Sequence, residues 1–90
     1  MPLKSLHSDE YEAFLQVLIA ARKDAGITQQ DLAKALGKPQ SFVSKYERRE
    51  RRLDVVEFVA VARAIGLEPG KTIREIEARI ASRSKQGTPR

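Results

Sequence analysis

"TQQDLAKALGKPQSFVSKYE", residues 28–47, carries two short apolar stripes separated by Gly37 and Pro39. Thr28 with Asp31 has capping-box spacing, so a helix opens there. Leu32, Ala33 and Leu36 form its inward side, and Gly37 ends it after about two turns. Pro39 starts a second helix, because its fixed φ suits a first turn. Phe42, Val43 and Tyr46 supply the buried side of that helix and leave Gln40, Ser41, Ser44 and Lys45 on the other. The connection is too short for the two helices to stack antiparallel, so they cross steeply and the first props the second outward. A helix about 10–12 Å wide fits the DNA major groove. Glutamine can pair with adenine through both ends of its amide, and lysine can donate to guanine O6 and N7. No acid appears on this side until Glu47.

The surrounding sequence reads as further helices. Residues 8–25 begin with Ser8 or Asp9 as cap, repeat Tyr11, Phe14, Leu15 and Leu18 at helical intervals, and stop at Gly26. Asp54 with Glu57 opens another helix, with Val55, Val56, Val59 and Ala62 as its expected apolar stripe and Gly66 as its stop. "EPG", 68–70, reads as a turn. Thr72 with Glu75 marks a fifth start, and Ile73, Ile76 and Ile80 line one side of that helix. No strand pattern or internal repeat is present. The expected organisation is one all-α domain over 1–82 and a disordered basic tail over 83–90, which has no apolar residue to bury.

Ninety residues make one small domain, and the net charge is +5. Residues 38–52 carry +4 and residues 83–90 carry +3, whereas 1–37 and 53–82 carry −1 each. Two basic zones on a nearly neutral body suit a polyanion. There is no cysteine, the one histidine, His7, stands alone near the terminus, and there is no glycine-rich phosphate loop. An enzyme, a metal site and a disulfide framework are therefore not expected. No apolar run reaches the ~18 residues of a membrane span, and the first ten residues lack the apolar core of a secretion signal. A cytoplasmic protein with no cofactor, membrane contact or small-molecule ligand is the expectation.

"TQQDLA", Gly37, "SFVSKYE", the basic loop after it and the "AIGL" that ends the next helix together resemble the phage repressor/Cro-like helix-turn-helix family, also called the XRE family. The resemblance spans roughly residues 8–68. It implies a five-helix, lambda-repressor-like bundle that binds double-stranded operator DNA as a homodimer, with the third helix of each subunit in the major groove. On that resemblance Gln40, Ser41 and Lys45 match base-reading positions, with Ser44 beside them. Gln29 matches a phosphate-holding position at a helix N-terminus. Lys38, Arg48, Arg49, Arg51 and Arg52 match backbone-contacting positions, and Arg22 and Glu47 match an ion pair tying the first helix to the third. The family usually has glycine where Arg49 stands, so Arg49 must take a left-handed conformation or extend the helix. Pro39 replaces a frequent serine or threonine cap. The late stripe Ile73, Ile76 and Ile80, with Ile65 and Leu67, serves the core, a dimer interface or both. The leading expectation is a sequence-specific transcriptional regulator, a repressor, on a palindromic operator, in a bacterial or phage setting and nucleoid-associated; the alternatives are an antitoxin with a toxin partner, a restriction–modification controller, and an interaction module without DNA binding.

Overall fold

In a computed structural model the backbone is described over residues 9–87 and the side chains over 9–82. His7 and the alternative cap Ser8 lie outside the described residues. Five helices, α1 (Asp9–Asp24), α2 (Gln29–Leu36), α3 (Gln40–Glu47), α4 (Val55–Ile65) and α5 (Pro69–Gly87), make an all-α bundle. α2 packs on α3 and α4, α1 packs on α5 and α4, and α4 also touches α5. The seam of this bundle is Leu15, Leu18, Leu32, Val43, Tyr46 and Val61, all fully buried.

Local chemistry explains the short helices. The Thr28 hydroxyl accepts the Asp31 N–H at 2.9 Å, and the Asp31 carboxylate accepts the Thr28 N–H at 3.1 Å. α2 then ends on Gly37, at φ 68°, where the Lys38 N–H donates to the Ala33 carbonyl at 2.9 Å. That left-handed residue reverses the chain within three residues, so α3 must leave α2 at a steep angle. Pro39 is the residue before α3 rather than its first turn, and α3 has no side-chain cap. The Asp54–Glu57 box opens α4 as the sequence indicates, at 2.7 and 3.0 Å.

Three expectations change. In α4 the buried side is Phe58, Val61, Ala62 and Ile65, with Val59 half-buried, whereas Val55 and Val56 are each 77% exposed. This helix is apolar almost all round, so its pattern left the inward face undetermined. α5 starts at Pro69, not Thr72. The Glu68 carboxylate accepts the N–H groups of Gly70 and Lys71 at 3.1 and 2.8 Å, and Pro69 occupies the first turn, where its missing N–H costs nothing. Thr72 is buried and its hydroxyl donates to the Glu68 carbonyl at 3.0 Å, so it is no cap. α5 also continues to Gly87, into the segment set outside the domain on sequence; Arg83, Lys85 and Gln86 there are good helix formers without any apolar face. Residues 88–90 lie outside the described residues.

Arg49 resolves the choice its position posed. Its φ is 65°, the one left-handed non-glycine among the described residues. Its N–H donates to the Tyr46 carbonyl at 3.2 Å, and the Glu50 N–H donates to that of Lys45 at 2.8 Å, so α3 closes in a Schellman turn with arginine in the glycine position. The Arg49 guanidinium meets the Glu12 carboxylate on α1. A left-handed side chain costs about 1–2 kcal/mol, and an exposed ion pair contributes about 0–1 kcal/mol. Arg49→Gly is therefore expected to stabilise the domain by on the order of 0.5–1 kcal/mol. Urea unfolding checks this: a lowered midpoint would show that the Glu12 contact outweighs the backbone strain.

Candidate nucleic-acid interface

α3 shows its two sides as its sequence spaces them. Val43 and Tyr46 are fully buried, Phe42 is half-buried, and Gln40, Ser41 and Lys45 are exposed. Ser44 is half-buried and its hydroxyl donates to the Ser41 carbonyl at 3.4 Å. These four polar positions share one outward side, and no part of the described chain covers it. Burial pushes the Tyr46 phenol well above its ordinary pKa, and the hydroxyl has no hydrogen-bond partner among the described residues. Tyr46 is thus a core residue, with no reach to solvent or to a phosphate.

An ion pair fixes the far end of this helix. Arg22 is 7% exposed. Its Nε and Nη2 donate to the two Glu47 carboxylate oxygens at 2.7 and 3.0 Å, and its Nη1 donates to the Ile27 carbonyl at 2.7 Å. The hydrogen bond to Glu47 holds the Arg22 pKa above its usual value against the opposing effect of burial. Glu47 also accepts the Gln29 side-chain amide at 2.9 Å, and Gln29 in turn accepts from the Gln40 amide at the long limit of 3.5 Å. One polar chain therefore runs from α1 through the first residue of α2 to the first residue of α3. It occupies the Gln29 side chain, while the capping box uses neither the Gln29 nor the Gln30 backbone N–H.

The arginines behind α3 are less free than their sequence suggests. Arg48 meets Glu50 at 3.1 and 3.2 Å, with both side chains more than half exposed. Arg49 meets Glu12. Arg51 donates to both Glu57 oxygens at 3.0 and 2.8 Å and to the Arg52 carbonyl at 3.0 Å. Its guanidinium carbon also lies 4.7 Å from the centre of the Phe42 ring. Arg52 stacks 4.1 Å from the Tyr11 ring centre. Lys38 lies 5.3 Å from the centre of the Phe42 ring and makes no salt bridge among the described residues. Sequence reading missed Glu57 as a partner because it already had a local explanation at a helix start, and Glu12 because it lies thirty-seven residues from Arg49. Among the described residues no cluster of three or more His, Cys, Asp or Glu could hold a metal, and no helix is long and apolar enough to cross a membrane.

Two outcomes follow. Arg22→Ala strands Glu47 in the interior and is expected to cost about 3 kcal/mol or more, while the paired change Arg22→Met with Glu47→Leu costs much less; urea unfolding of both variants measures the difference. The second outcome concerns acid. The Arg51 guanidinium, aided by the Asp54 N–H, holds the Glu57 carboxyl down to about 2, from a usual value of 4.5. A lowered folded pKa gives stability that is complete above the ordinary value and drains as pH falls from about 4.5 towards 2. Glu57→Gln should therefore lose less stability than the parent across that window; an unchanged slope would mean that the Arg51–Glu57 contact contributes nothing in solution.

Comparison with known proteins agrees with this geometry. A family described as helix-turn-helix matches residues 18–72, more than half of the chain. A solved XRE-family-like protein from Pseudomonas syringae pv. tomato str. DC3000 is 51% identical, with a TM-score of 0.79, covering 84% of this chain and 93% of that one. The clp gene regulator ClgR from C. glutamicum superposes with a TM-score of 0.69 over 81% of this chain and 95% of its own, and at 23% identity it shows the fold alone. No curated protein sequence matches. With α2 and α3 in the helix-turn-helix arrangement and the matched region spanning both, the chain belongs to the XRE family of helix-turn-helix proteins.

Proposed function

We propose that this protein is a sequence-specific transcriptional regulator, a repressor, that binds a palindromic operator as a homodimer. The observation that carries the reading is the outward side of α3: exposed Gln40, Ser41 and Lys45 with half-buried Ser44 beside them, free of carboxylates, on a helix pinned at Glu47. In the complex Gln40, Ser41 and Lys45 meet base edges in the major groove, with Ser44 beside them. Phosphates are met by the N-terminus of α2 at Gln29, by Lys38 and by Arg48, whose exposed pair with Glu50 is weak enough to exchange.

A second copy is required to read a palindrome. Ile65 and Ile76, expected as interface candidates, lie 7% exposed in the core of the single chain, and Leu67 and Ile80 pack half-buried against it. Of that set Ile73 alone is well exposed, at 48%, and it lies beside a shallow apolar groove lined also by Phe14, Val55, Phe58 and Val59. With exposed Val55 in its lining, this face is the apolar surface left for a partner subunit.

Selection of bound sites from a random duplex pool tests the reading. The expected motif is palindromic, with half-sites about 34 Å apart, one duplex turn. Lys45→Ala should then cost about 1–3 kcal/mol on the selected site and blur one base position, with little loss on random DNA. Equal losses on both would remove Lys45 from the base-reading set, and failure of the parent to bind random duplex at low salt would remove DNA binding altogether.

A further inference from the structure

We propose that Arg51 is a positioning residue for the reading helix: stapled to Glu57 on α4 and stacked on Phe42 of α3, it holds the first half of α3 at its angle instead of meeting a phosphate. The inference rests on the DNA-binding reading above and changes the role of one residue within it.

α3 has few supports. It packs chiefly on α2, and its last residue is held to α1 by the Arg22–Glu47 pair. A helix held along one side and at one end can still pivot, and the pivot would swing Gln40 and Ser41, the end that carries half of the outward side. The second bearing comes from α4. Glu57 is fixed there because its carboxylate also accepts the Asp54 N–H at 3.0 Å in the capping box that starts α4. It grips both Arg51 terminal nitrogens, and that guanidinium lies over the Phe42 ring, its carbon 4.7 Å from the ring centre. Phe42 lies in the first turn of α3, directly after Ser41, and its ring meets buried Tyr46 at 5.8 Å between centres. The route from α4 to the reading end of α3 is thus Glu57, Arg51, Phe42.

The same contacts argue against a phosphate role. Three of the five guanidinium N–H donors are committed, two of them to a carboxylate in the planar two-point geometry that arginine favours. A phosphate approaching Arg51 would also approach Glu57, and a neutral pair releases little bound cation from the duplex.

Lysine separates the two roles, because it can serve a phosphate as a point charge but cannot reproduce a two-point grip or a stacked plane. Affinities of Arg51→Lys, Arg51→Gln and Glu57→Gln would be measured on a site selected from a random pool and on random-sequence duplex, across a salt series. Positioning predicts that Arg51→Lys lowers the selected-to-random affinity ratio by about tenfold, one good base contact, with the salt slope unchanged. Glu57→Gln should lower the ratio too; glutamine still completes the α4 capping box, so this variant carries the test if Arg51→Lys fails to fold. Amide hydrogen exchange provides a readout without DNA: Ser41 to Val43 should exchange faster in either variant, with the Glu47 end unchanged. The proposal is overturned if Arg51→Lys matches the parent in ratio and exchange, or if Arg51→Gln weakens both DNAs alike and reduces the salt slope by about one. A parent that binds neither DNA would sink the DNA reading instead, and exchange alone would then decide what Arg51 does.

Discussion

The buried pair of Arg22 and Glu47 is the constraint from which the placement of the outward side of α3 follows. Two charges taken out of water contribute little net stability, because desolvation offsets most of their attraction. What they impose is placement. A guanidinium that donates to both carboxylate oxygens and to the Ile27 carbonyl has one orientation, and it fixes three segments at once: the end of α1, the loop into α2 just before its cap, and the last residue of α3. Gln29 then uses the same carboxylate to bring the first residue of α2 into register. An apolar contact at Glu47 would tolerate sliding; a two-point ionic contact does not.

Given that anchor, the charge of residues 38–52 has two uses. Counted along the sequence it is a basic cluster, and at long range it still is, because the field of its arginines adds to that of its two lysines, Lys38 and Lys45. At short range much of it is turned inward. Arg49 reaches back to α1 and Arg51 reaches forward to α4, each to a carboxylate outside the cluster, while Arg52 lies on Tyr11. The loop behind α3 therefore acts as a brace between three helices as well as a source of positive potential. Cation–π stacking suits arginine for this, since its flat, weakly hydrated head can cover an aromatic ring at small desolvation cost.

How much of this was legible in the sequence depends on the range of the interaction. The helix-turn-helix was readable because its determinants are local: Thr28 and Asp31 three residues apart, Gly37 at the left-handed stop, Asp54 and Glu57 at the next start. The polar side of α3 was readable because its spacing allows one buried side only. The inward face of α4 was not, because Val55, Val56, Val59 and Ala62 repeat as regularly as Phe58, Ala62 and Ile65, and tertiary packing alone selects between them. The start of α5 was misread because glutamate is an uncommon cap and Gly70 looks like a turn. The partners of Arg49 and Arg51 could not be read at all: one lies thirty-seven residues away, and the other already had a sufficient local role.

Arg49 shows how these ranges combine at one position. Closing α3 in a Schellman turn asks for a left-handed residue, and glycine would meet that demand without strain. Arginine meets it at a cost, yet the turn forms, because the Glu50 N–H and the Arg49 N–H both find α3 carbonyls there and nowhere else. The left-handed conformation also sets the direction in which the side chain leaves the backbone, and that direction leads to Glu12. In a right-handed continuation of α3 the guanidinium would project from a longer helix, the chain would overshoot, and Arg51 could not reach Glu57. The strained residue is therefore the condition for the brace: the backbone must turn at Arg49 for the loop to return to α4, and only after that return can Phe42 and Glu57 share one guanidinium.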